Sequence, residues 1–201
     1  SGLSGTTSSI TYTDKDTYVL PTATRAIEYN IGAGCNNEPL SEVGFNADAA
    51  TAYNLTFKPL GETDNLVSKY KIYARKFPDG KNPFRGTDTS GNPIDLYMYD
   101  ASTMENSTEV AFVGEITPNG SEEYIYNLAT GHGLSGNYYL VVCADVKPGV
   151  AVGKKVGVSI EKLNSTSFTS TTGTRTVMLN FQVVYRPFNG YSNFYRIPSI
   201  I

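Results

Sequence analysis

Apolar and polar residues alternate with a period of two along most of this chain. The longest run, residues 174–185, puts Val177, Leu179, Phe181, Val183 and Tyr185 on one face. Successive side chains of a strand point to opposite sides, so this period calls for sheet with one buried face rather than helix. Similar runs occupy residues 24–31, 53–60, 69–77, 94–100, 109–116, 123–128, 138–146 and 156–162. Turn formers stand between them: Pro78-Asp79-Gly80, Ser90-Gly91-Asn92-Pro93, Pro118-Asn119-Gly120 and Pro148-Gly149. Each supplies the fixed φ of proline or the positive φ that Gly and Asn tolerate. Short strands in steady succession, with no helices interleaved, predict an all-β fold, an antiparallel β sandwich or jelly roll of about ten strands. Helix is expected at most as a turn or two near residues 47–52.

The chain has 201 residues, enough for a substantial core and within the size range of an undivided sandwich. The expected organisation is an N-terminal extension over residues 1–20 and a single β-sandwich domain over residues 21–201. Residues 1–9 are rich in Gly, Ser and Thr and bury nothing by themselves. Directly after them Ser9-Ile10-Thr11-Tyr12-Thr13 alternates cleanly. A polar leader ending in such a run suits β-strand addition to a neighbour, where main-chain hydrogen bonds supply affinity and alternate side chains fill pockets.

Charge narrows the partners. The net charge is −3 and charged residues make up 17% of the chain, with no long run of Lys or Arg, so no basic field is available to hold phosphate backbones. Nucleic acid is therefore not an expected partner. No apolar stretch approaches the ~20 residues that would span a bilayer as a helix, and no charged-then-apolar signal segment heads the chain. The abundance of Ser, Thr, Asn and Gly fits an extracellular or cell-surface protein. In that setting Cys35 and Cys143, which lack metal-ligand spacing, are expected to form a disulfide closing a loop of about 108 residues, although two buried thiols are the alternative.

Catalytic patterns are missing from the sequence. His132, the single histidine, sits in Thr130-Gly131-His132-Gly133 and reads as a loop residue, and there is no nucleophile elbow, phosphate loop or dinucleotide fingerprint. An enzyme is not expected. Oxygen-ligand metal chemistry is better represented: Asp88, Ser90, Asn92 and Asp95 recur around Gly91, with Asp100 at the end of the next run. This resembles a Ca²⁺ loop without the closing bidentate Glu, and the same residues also make a good hairpin turn. Asp14 and Asp16 form a second acidic pair. Four glycosylation sequons occur, at Asn54, Asn106, Asn119 and Asn164, a number close to chance for so Asn-, Ser- and Thr-rich a chain; the last three fall in expected loops.

The segment Ile10-Thr11-Tyr12-Thr13-Asp14-Lys15-Asp16-Thr17-Tyr18-Val19-Leu20-Pro21, leading to Ala33-Gly34-Cys35 and a Thr- and Tyr-rich sandwich, resembles the subunits of extracellular archaeal tubes called cannulae. More distantly it is similar to jelly-roll biofilm-fibre and bundling-pilus subunits. The resemblance implies a subunit that polymerises when its N-terminal strand completes the sheet of the next copy, with Ca²⁺ stabilising the assembly. The 17% charged fraction departs from what a hyperthermophile would favour.

The leading expectation is thus a structural protein, a head-to-tail homopolymer in which residues about 8 to 20 act as donor strand through Ile10, Tyr12, Tyr18 and Leu20. The main alternative is a monomeric carbohydrate-binding or adhesin module that uses some of the 15 tyrosines as stacking platforms, and a viral capsid or spike jelly roll is the third.

Overall fold

A computed structural model describes residues 24–26, 30–76, 85–87, 93–95, 110–169 and 172–178. They form an all-β sandwich of fourteen strands, several only two or three residues long, and one helical turn. The strands are β1 (Thr24–Ala26), β2 (Ile31–Gly32), β3 (Glu38–Ala47), β4 (Tyr53–Pro59), β5 (Val67–Lys76), β6 (Arg85–Thr87), β7 (Pro93–Asp95), β8 (Val110–Ile116), β9 (Tyr124–Leu128), β10 (Gly136–Val146), β11 (Lys155–Val156), β12 (Val158–Leu163), β13 (Thr166–Ser167) and β14 (Arg175–Met178). The turn, α1 (Thr63–Leu66), joins β4 to β5.

The front sheet has the order β1-β3-β10-β5-β8 and the back sheet β13-β12-β4-β9. All pairs in both are antiparallel. A small third sheet, β11-β14-β2, contains a parallel pair, β14 on β2. Between the sheets the inward residues make one core: Leu40, Val43 and Phe45 of β3, Leu55 and Phe57 of β4, Tyr70, Ile72 and Ala74 of β5, Leu140, Val142 and Ala144 of β10, and Val158 and Ile160 of β12. The spacing of two among these residues of β4, β5, β10 and β12 is the sequence alternation realised in space.

The alternating runs at 53–60, 69–77, 109–116, 123–128, 138–146 and 156–162 correspond to β4, β5, β8, β9, β10 and β12. Two features differ from expectation. The helical turn lies at Thr63–Leu66 rather than near 47–52, where Asp48 instead closes a tight turn by accepting from the N–H of Ala50 at 3.0 Å. The sequence pattern also does not announce β3. Its register against β10 shifts between Val142, opposite Ser41, and Cys143, opposite Pro39, and this bulge breaks the period. Its non-core positions Ser41 and Glu42 are buried as well, so polar residues there do not mark a solvent face.

Candidate functional site

The feature of most consequence is the seam where β8, at one edge of the front sheet, meets β9, at one edge of the back sheet. Among the described residues β9 pairs only with β4, in an unbroken register from Tyr53 opposite Leu128 to Phe57 opposite Tyr124. Its sequence Tyr-Ile-Tyr-Asn-Leu holds no charge and no proline, and Ile125 is 62% exposed. Soluble proteins commonly protect an edge strand with lysine, proline, a bulge or extreme shortness. The other outer edges follow that habit better: β1 and β13 are three and two residues long, and β8 carries Glu115, which pairs with Lys69 at 2.5 Å. Even β8 leaves Phe112 53% exposed, its ring edge-on to Tyr73 at 5.4 Å.

Side chains beneath the seam hold β9 in place. The Tyr126 hydroxyl donates to the carbonyl of Val113 on β8. Its ring lies over Gly114, where an added Cβ would come within 2.8 Å of two ring carbons, so only glycine leaves room for it. Burial raises the Tyr126 phenol above its ordinary value, keeping it a donor. At the start of the strand Asp64 of α1 gathers three donors: the hydroxyls of Tyr70 (3.1 Å) and Tyr124 (2.7 Å) and the N–H of Gly120 (2.8 Å). The Tyr124 oxygen in turn accepts from the N–H of Asn119 at 2.9 Å. Burial first, then the charge of Asp64, raises the phenol of Tyr70 far above normal, and burial also raises that of Tyr124. Phe57, Tyr70 and Tyr124 form a three-ring cluster with centroids 5.2–5.6 Å apart. The open edge is therefore rigidly backed.

The fold also contains a chain of largely buried charges. Arg175, on β14, pairs with Glu38 at 2.7 Å and donates to the Pro39 carbonyl at 2.8 Å. Lys71 pairs with Asp145 at 2.9 Å, and the other oxygen of Asp145 accepts from the N–H of Asn37. This group links β3, β5, β10 and β14, and its function is structural: each charge has an opposite partner, as burial requires.

Beside it stand the two cysteines, and here the structure corrects the expected disulfide. Cys35 and Cys143 are not bonded to one another. Cys143 lies wholly buried on β10 between Pro39 and Lys71, and burial, followed by the negative charge of Glu38, pushes its thiol well up. Cys35 sits in the turn after β2, where its carbonyl accepts from the N–H of Val146 at 2.9 Å.

Of the calcium candidates, Asp95 lies on β7, opposite Arg85 on β6, in a β6–β7 hairpin. Asp88, Ser90, Asn92, Asp100, Asp14 and Asp16 lie outside the described residues, as do the donor-strand candidates Ile10, Tyr12, Tyr18 and Leu20. Among the described residues no three His, Cys, Asp or Glu side chains cluster as metal ligands. Asn54 is exposed on β4, Asn119 at the β8–β9 turn and Asn164 at the β12–β13 turn, while Asn106 lies outside the described residues. His132 uses both ring nitrogens on backbone: Nδ1 accepts from the N–H of Leu134, so Nε2 carries the proton and donates to the Thr51 carbonyl. Among the described residues no helix is long and apolar enough to cross a membrane.

Sequence reasoning missed Asp64, whose role depends on contacts 56 and 60 residues away, and missed that β9 is an edge. The clue available was Ile125, an apolar residue at an outward position of the run 123–128.

No family model matches the chain, and no curated protein is similar to it. A solved structure with a similar fold is that of a sialidase described as "Hadza microbial sialidase Hz136", at 10% identity and a TM-score of 0.52 over 77% of this chain. This chain spans 31% of that protein's length. At so low an identity the likeness concerns the fold alone, and it agrees with the strand pairing above: the chain is an all-β sandwich.

Proposed function

We propose that this chain is a structural subunit of an extracellular filament or tube, assembling head to tail as an N-terminal strand of one copy completes a sheet of the next. The observation that supports this most is the β9 edge, five uncharged residues in regular register with one side unpaired among the described residues and Ile125 62% exposed. An edge of this kind offers unused main-chain donors and acceptors to an incoming strand. The alternating residues around Ile10 and Tyr12, with Tyr18 and Leu20 beyond, provide a strand of suitable pattern. Five residues of β9 match the five of residues 9–13 in length.

In this reading Asp88, Ser90, Asn92 and Asp95, with Asp100 beyond them, form a calcium loop, and Asp14 and Asp16 are a second acidic pair that shares a cation with the neighbouring subunit. The test is electron microscopy of the full-length protein and of a chain lacking residues 1–20, each with Ca²⁺ and with chelator. Filaments or tubes from the full chain and none from the truncated one are expected, with fewer after chelation. Filaments from the truncated chain would sink the donor-strand reading.

A further inference from the structure

We propose that Asn119, in the turn between β8 and β9, is a self-modifying site: the fold drives its side-chain amide through a cyclic imide to aspartate and isoaspartate. Among the described residues Asn119 is the one asparagine followed by glycine. Gly120 has φ +81° and nothing within 4 Å of where a Cβ would stand, so no side chain shields the approach of its nitrogen to the Asn119 amide. Both residues are exposed, which admits the water that the second step needs.

Neighbouring groups are aimed at the reacting atoms. Ser121 donates twice to Asn119 Oδ1, from its N–H at 3.1 Å and its hydroxyl at 2.6 Å. These donors polarise the amide carbonyl and stabilise the negative charge that grows on Oδ1 as Cγ becomes tetrahedral. The N–H of Gly120 points at Asp64 Oδ2, 2.8 Å away, so a carboxylate stands ready to take its proton. Asp64 is itself fixed by the hydroxyls of Tyr70 and Tyr124, and the Tyr124 oxygen holds the N–H of Asn119 at 2.9 Å. Nucleophile, base and oxyanion donors are thus in place before reaction, and no further ordering is needed.

The Gly120 nitrogen forms a bond to Asn119 Cγ. Its proton passes by way of Asp64 to Nδ2, which leaves as ammonia. Water then opens the succinimide at either carbonyl, giving aspartate or, with an extra carbon in the main chain, isoaspartate. Either product sets a second negative charge near Asp64, where the start of β9 is fastened. The chemistry needs no second copy of the chain, so it is independent of strand addition.

Peptide mapping by mass spectrometry tests it. The full-length protein is used without a glycan, which would block Nδ2, and is brought from weakly acidic to neutral pH beside an unstructured peptide of residues 115–124. Asn119 should gain about 1 Da, with isoaspartate among the products, at least about tenfold faster in the folded protein than in the peptide. Ser121→Ala and Asp64→Asn should each slow the conversion about tenfold. Asn189–Gly190, the same dipeptide elsewhere in the chain, should keep its rate in both variants. Circular dichroism checks that each variant folds. Conversion in the folded protein no faster than in the peptide, or an unchanged rate in either folded variant, would overturn the proposal.

Discussion

β10 and β9 are both short of charge and rich in apolar residues, yet they occupy opposite situations. β10 runs through the middle of the front sheet, paired along its length with β3 and β5, and even its non-core residues Tyr139, Val141 and Cys143 are buried. β9 is half as long, pairs with β4 alone among the described residues, and turns Ile125 outward. The same kind of sequence serves in one place as the central support of the domain and in the other as a surface to be completed. Substitutions should therefore separate stability from assembly, β10 governing the first and β9 the second.

The largest stability effect is expected in β10. Leu140→Ala, at a fully enclosed core position, should cost about 3 to 4 kcal/mol in urea denaturation; a loss under about 1 kcal/mol would mean that β10 is not the central support. Arg175→Met should come next, at about 3 kcal/mol, because it strands the carboxylate of Glu38 near the core without its partner. Arg175 belongs to β14, outside the sheets that hold β8 and β9, so the same variant should assemble normally wherever it remains folded. Asp64→Ala sharpens the comparison from the other side. Removing the acceptor of three hydrogen bonds should cost about 2 kcal/mol and also loosen the β8–β9 turn, so it should reduce both stability and assembly.

Alkaline pH probes the same backing. Tyr70, Tyr124 and Tyr126 all have phenols raised above the ordinary value of 10.0. The folded state thus favours their protonated form, and this contribution to stability is complete below about pH 10 and is lost as pH rises above it. Denaturation midpoints should fall between pH 9 and pH 11, and tyrosinate absorbance should show a fraction of the 15 tyrosines ionising only on unfolding. Ionisation of all of them without unfolding would contradict the geometry beneath β9. The smallest effect on stability, within about 0.5 kcal/mol, is expected from Ile125→Lys, which faces solvent on β9. That substitution places a charge on the edge and should abolish assembly while leaving the monomer as stable as before.

The alternation made the fold class legible because it reports burial on one face, and at β4, β9 and the first half of β5 burial on one face is what selects the residues. It did not reveal β3, where a bulge and buried polar residues hide the period, nor α1, whose Asp64 matters through partners distant in sequence. The site was less legible still. Whether a run such as β9 lies at the centre or the edge of a sheet depends on the order in which strands pair, and period alone is blind to that order. The cysteines teach another lesson: a composition that looks extracellular suggested a bond, and the structure places Cys35 and Cys143 unbonded to one another, the alternative of two thiols that the sequence had also left open.

The most direct test of the account is hydrogen exchange at the β9 amides, Tyr124–Leu128, measured in the assembled full-length protein and in the chain lacking residues 1–20. The account predicts that the β9 amides not bonded to β4 exchange quickly in the truncated chain and become strongly protected in the full-length assembly, while β10 is protected equally in both. Equal exchange along β9 in the two proteins, with filaments present in the full-length sample, would contradict it and place the joint elsewhere on the molecule.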